Sequence, residues 1–203
     1  MAPSAGLRCA LGYRAPGGAR DPGTLLSAER SQDTDGALRR SLAFIALAIT
    51  AFVWIAALLW APTPAAGVAD RWRSRAAYAS ALVYVAGSYV CHQRPERSFH
   101  RAGAQLPVCA RCFGLYAGGF LGVLAWAGFA GIGSAASTRA IRILRSRRLR
   151  LVLIIAALPT MISLAVAWLG WWDVPNAPRA VSALPLGSAI GALVAAFAAG
   201  DLR

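Results

Sequence analysis

The chain has 203 residues, 58% hydrophobic and only 14% charged, with a net charge of +13. Soluble domains run nearer to about half apolar and a quarter charged, so this composition excludes a soluble enzyme, a disordered polymer and a fibrous repeat, and four cysteines are too sparse for a disulfide scaffold. The basic residues are all arginine and flank long apolar runs, which fits membrane orientation and anionic headgroups rather than nucleic acid.

Residues 1–40 read as a disordered basic tail, rich in Gly, Ala, Pro and Ser. They hold no apolar run of signal-peptide length, so no cleavable signal is expected. Cys9 stands there as an ordinary exposed thiol. Ser41–Ala61 is the first uncharged run, preceded by Arg39 and Arg40 and followed by Pro62 and Pro64. At 1.5 Å per residue it matches a hydrocarbon core of about 30 Å, and Trp54 and Trp60 suit an interfacial end. Beyond Arg71, Arg73 and Arg75, an apolar stretch over 76–92 is short enough to predict either a fifth span or a re-entrant helix. Cys91–Arg111 is polar. Cys112 then opens a glycine-rich run with a span expected over 112–133. Gly114, Gly118 and Gly122 share one of its faces and predict close packing of another helix, from this chain or from a second copy. Arg139, Arg142, Arg145, Arg147, Arg148 and Arg150 form the densest positive cluster. Leu151–Trp172, with Pro159 inside, and Ala180–Gly200, with Pro185, Gly187 and Gly191 inside, are the last two spans.

The sum is an all-α polytopic membrane bundle over 41–203, with four or five spans and a Cys/His-containing loop at one interface. The positive-inside rule places the six-arginine loop in the cytoplasm. The loop 91–112 then falls on the extracytoplasmic side of a cell membrane.

Five of the six Cys and His residues of the chain lie between Cys91 and Cys112. Cys109 and Cys112 have the two-residue gap that serves both metal knuckles and redox dithiols. As a metal site, Cys91, Cys109 and Cys112 would supply three thiolates and His92 or His100 a fourth ligand. Sulfur-rich tetrahedral sets suit zinc. As a redox site, Cys109 and Cys112 would exchange with Cys91 as relay, next to a helix N-terminus that favours thiolate, with a quinone or thiol partner. An extracytoplasmic location favours the oxidised form. A third reading gives Arg94, Arg97, Arg101 and Arg111 to an anion or lipid headgroup. A purely structural staple fits the same cysteines. Glu96 pairs with a neighbouring arginine or serves as a base. The four long apolar runs carry no charge, which ranks transport last.

Cys91-His92-Gln93, Pro95-Glu96-Arg97-Ser98-Phe99 and Leu106-Pro107-Val108-Cys109-Ala110-Arg111-Cys112, with Gly114 and Tyr116, resemble a family of small predicted membrane proteins, domain of unknown function 2085. The resemblance covers roughly Ala76–Gly200. It implies several membrane helices and this Cys/His loop, and Pro159, Asn176, Arg179, Gly187 and Gly191 look like further family positions. It also implies an acidic residue in the helix after the proline in many members, where this chain has Ser163.

Overall fold

The structure is a computed structural model and describes residues 22–62, 70–101, 103–131 and 148–199. Two compact units divide it, 1–37 and 38–203. Cys9 and most of the arginine-rich stretch 139–147 lie outside the described residues. Five helices follow in order: α1 (Pro22–Trp60), α2 (Asp70–Ser88), α3 (Ala110–Gly131), α4 (Arg148–Trp168) and α5 (Asn176–Ala198). Helix α1 begins inside the stretch expected as a disordered tail, so only residues 1–21 of that stretch fall outside the described part.

Among the described residues, four helical segments are long and apolar enough to cross a membrane: Leu38–Trp60, Ala110–Phe129, Leu149–Trp168 and Asn176–Ala198. Helix α2 is not among them. It opens with Asp70, Arg71 and Arg73, and these charges dilute an already short apolar stretch. The spans point apolar side chains outward, as a bilayer demands. Along α4, Ile154, Ile155, Met161 and Ile162 are all more than half exposed. Helix α4 ends at Gly170, whose φ of +71° gives the left-handed turn that closes a helix; Leu169 and Trp171 donate back to Ala165 and Val166.

The glycine face of α3 is filled from within the chain. A Cβ at Gly114 would overlap the backbone of Ala180, one at Gly118 that of Leu184, and one at Gly122 that of Ser188. Helix α5 returns the arrangement, with Gly187 against Leu115 and Gly191 against Gly119. Close backbone approach of this kind gives membrane helices their dispersion contact where no hydrophobic driving force exists. Of the two uses expected of this face, packing within the chain is the one α5 makes of it.

One element departs from the all-helical expectation. The polar loop folds into an antiparallel hairpin, β1 (Ser98–Arg101) and β2 (Ala104–Cys109), preceded by a single 3-10 turn at Pro95–Arg97. Gly103, at φ +81°, makes the turn. An irregularity between Ser98 and His100 shifts the register, so that Ser98 faces Cys109 and His100 faces Gln105. Leu106, Pro107, Val108 and Cys109 are all buried, which locks β2 onto the end of the bundle.

Candidate metal centre

Three elements deliver the three thiols. Helix α2 ends at Ser88, and the following turn, closed by Val90 and Cys91 amides on the Gly87 carbonyl, sets down Cys91. Strand β2 ends on Cys109, and α3 begins at the next residue, so Cys112 lies in its first turn. The three sulfur atoms all lie within 4.8 Å of one another. Tetrahedral zinc with sulfur at about 2.3 Å needs sulfurs about 3.8 Å apart, within a small side-chain adjustment of this arrangement. Cys91 and Cys109 are buried and Cys112 is half-buried. All three are free thiols.

The surroundings favour the charged form at one of the three sulfurs. The Cys109 amide donates to Cys91 Sγ at 3.1 Å. The Cys109 thiol is lowered from 9.0 to about 5, chiefly by a hydrogen bond from the Cys112 thiol. The Cys112 backbone, the Cys91 thiol and the charge of His92 add to this against the cost of burial. Apolar packing encloses the group: Leu58, Val108 and the two buried cysteines form one cluster, with Trp54, Val83, Phe113 and Tyr116 against it. Trp54 and Tyr116 meet edge to face at 5.9 Å, as do Phe99 and Phe113 at 5.8 Å.

A polar strut fixes the loop that carries Cys91. Gln93 sits at φ +47°, and its amide donates to both Tyr84 O and Pro107 O at 2.7 Å. It thereby ties α2 to β2 across the cluster. Tyr84 donates its hydroxyl to Gln105 O, and Gln105 donates back to Gln93 O at 3.3 Å. Burial pushes the Tyr84 phenol up. Gly87 makes room, because a Cβ there would come within 2.5 Å of Pro107 O and 2.9 Å of Gln93 Nε2.

The histidines expected as ligands are not gathered with the sulfurs. His92 is exposed and accepts the Arg94 amide on Nδ1 at 3.2 Å. That bond occupies Nδ1 of the ring. His100 is exposed on β1 opposite Gln105; the register shift before it turns the strand away from Cys109. The arginines expected to grip an anion separate as well. Arg94 is exposed. Arg101 Nη1 caps the end of α1 by donating to Leu59 O at 2.8 Å. Arg97 is half-buried, and only Arg111 enters the bundle, where Nη2 donates to Ser163 O at 3.1 Å. Glu96 is exposed.

Two features go beyond what the sequence shows. Arg179, a family position by resemblance, lies in the first turn of α5 and is 3% exposed. All four candidate spans carry arginine within their first four residues, Arg39 and Arg40, Arg111, Arg150 and Arg179; of these Arg179 is buried and Arg111 half-buried, and the others are exposed. The second feature is an apolar cleft of about 460 Å³ between α1, α3 and α5, lined among others by Leu47, Trp54, Tyr116, Phe120, Ile190 and Val194. Its Trp54 and Tyr116 are the residues that pack on the thiols.

The chain is similar to an uncharacterized protein of Methanocaldococcus jannaschii, 45% identical over 47 residues, 23% of this chain and 30% of that one. It is similar to another from Methanothermobacter thermautotrophicus, 53% identical over 32 residues, 16% of this chain and 29% of that one. The chain thus spans less than a third of the length of these curated relatives. No solved structure matches it. The family model of predicted membrane proteins (DUF2085) matches residues 91–193, from the first thiol through most of α5. The thiol centre and the three helices behind it are therefore the family's own segment, and the chain belongs to the DUF2085 family of integral, multi-pass membrane proteins.

Proposed function

We propose that Cys91, Cys109 and Cys112 hold a zinc ion at the extracytoplasmic end of the bundle. The observation that carries this reading is the convergence of three sulfurs within 4.8 Å, two of them buried and one already favoured as thiolate. Thiolate is the form that binds metal, and NH···S bonds such as that from Cys109 to Cys91 suit a metal-bound sulfur. The engaged Nδ1 of His92 and the exposure of both histidines support a three-thiolate set with its fourth position open to an outside donor. An open position is the mark of a zinc that polarises a ligand or generates hydroxide, not of one that only staples a loop. The six arginines between Arg139 and Arg150 support the orientation. The test is cobalt(II) titration of the metal-free, reduced protein in detergent. Thiolate-to-cobalt charge-transfer absorption at one ion per chain, lost in Cys112→Ser and kept in His92→Ala and His100→Ala, is the expected result. Loss in either histidine variant overturns the open position.

A second reading is favoured by the apolar cleft. A cleft of about 460 Å³ beside the thiols is of a size for a quinone ring. Cys109 and Cys112 would then form a disulfide, passing two electrons and two protons to the quinone, with Cys91 as relay. It requires that the protein carry no metal and that a short-chain quinone oxidise the dithiol stoichiometrically to hydroquinone plus disulfide.

A further inference from the structure

Two arginines enter the bundle beside the thiols, and neither is fully used by the protein. Arg111 and Arg179 lie in the first turns of α3 and α5. These helices touch one step further in, at Gly114 and Ala180, so the two side chains start from adjoining backbones. Arg111 feels the charge of Arg179 and of Arg97. Helix α4 closes the third side: Arg111 donates to Ser163 O, and the Ser163 and Ser182 hydroxyls meet at 3.1 Å. Ser182 in turn donates to Arg179 O at 2.9 Å.

The donors outnumber their partners. Arg179 Nη2 pairs with Asp173 Oδ1 at 2.6 Å, but Asp173 is 96% exposed while the arginine side chain is 4% exposed. Arg179 Nη1 reaches Asn176 Oδ1 only at 3.5 Å, and the Asn176 amide is committed to Ser98 O at 3.0 Å. The Nε atoms of both arginines are buried and have no hydrogen-bond partner among the described residues. A buried guanidinium with dry N–H groups is costly, and two of them repelling each other at the edge of a bilayer more so. A tetrahedral oxyanion removes both costs at once. It can accept from the Nε and Nη of each fork, which is the geometry arginine offers to phosphate.

We infer that Arg111 and Arg179 form a binding site for a phosphate-type oxyanion between the first turns of α3 and α5 and the C-terminal half of α4. The occupant is free phosphate or the phosphomonoester of a lipid headgroup. Asp173 competes for Arg179 as an intramolecular stand-in.

The test uses the full chain. Inorganic phosphate binding is measured by equilibrium dialysis in detergent, and retention of phosphatidate is measured in nanodiscs of phosphatidate and phosphatidylcholine. Saturable phosphate binding identifies the free anion, and phosphatidate retention without it identifies the headgroup. Arg179→Gln weakens whichever binds by about tenfold or more, the loss of one charge-assisted fork. Asp173→Asn, an exposed change that leaves the fold alone, strengthens it about threefold to tenfold by freeing Nη2. Binding of neither probe, unchanged binding in Arg179→Gln, or weaker binding in Asp173→Asn overturns the site. Neither variant touches a thiol, so metal content read on the same samples separates this outcome from that of the zinc centre.

Discussion

Cys109 receives hydrogen bonds from both other thiols and from the Cys112 backbone, and these outweigh its burial. Its thiol is lowered to about 5 against an ordinary 9.0. A lowered acid stabilises the fold fully above the unfolded value, and that contribution is lost as pH falls through the folded one. The melting temperature of the metal-free, reduced protein should therefore fall between about pH 9 and about pH 5. Cys109→Ser should lack that component, and parallel slopes in the two proteins would contradict it. Gln93 makes a second prediction at this scale. Gln93→Ala removes two hydrogen bonds and strands two carbonyls, a loss of about 2–3 kcal/mol in thermal or denaturant unfolding. It should also loosen the metal, because the strut it breaks fixes the turn after Cys91. The cysteines were legible because their spacing is local. Arg179 was legible only through the resemblance, because its burial depends on how α5 packs in the bundle. His92 stands next to Cys91 in sequence yet is exposed at the turn before Arg94, and His100 is exposed beyond the register shift in β1.

The helices divide into those that sequence periodicity and length determine and those that contact determines. The four apolar runs became spans because bilayer thickness fixes their length. Helix α2 stayed ambiguous in sequence, and its charged first turn keeps it out of the set that can cross. The hairpin could not be read at all. Ala104–Cys109 is buried over four successive residues and contains Pro107, so it lacks the alternation that marks a strand, and its partner is defined only by pairing. The contact between α3 and α5 yields the sharpest test at this scale. Gly118→Ala places a methyl into the Leu184 carbonyl and against Gly187 and Ser188, and should cost about 1–3 kcal/mol as overpacking in thermal unfolding. Gly128→Ala on the same helix meets nothing within 4 Å and, because alanine favours helix over glycine, should melt at or above the parent. A Gly118→Ala variant that melts no lower than Gly128→Ala would contradict the close packing.

Among the described residues, four segments can cross a membrane, with the thiol centre between the first and second of them. On the proposed orientation, the hairpin and the start of α5 lie outside and the arginine-rich stretch 139–150 lies in the cytoplasm. Impermeant thiol labelling of single cysteines, placed at Asp173 or at Arg142 in a background without the four native cysteines, should therefore modify the first from outside intact cells and the second only after lysis. The reverse pattern would put the thiol centre in the cytoplasm. The measurement that reaches the central claim most directly is elemental analysis of protein purified anaerobically without reductant, with free thiols counted in the same sample. About one zinc per chain, with thiols that react only once the metal is chelated and zinc lost in Cys109→Ser, is the result expected of a three-thiolate centre. No metal, with two thiols missing until reductant is added, would contradict it and leave the dithiol.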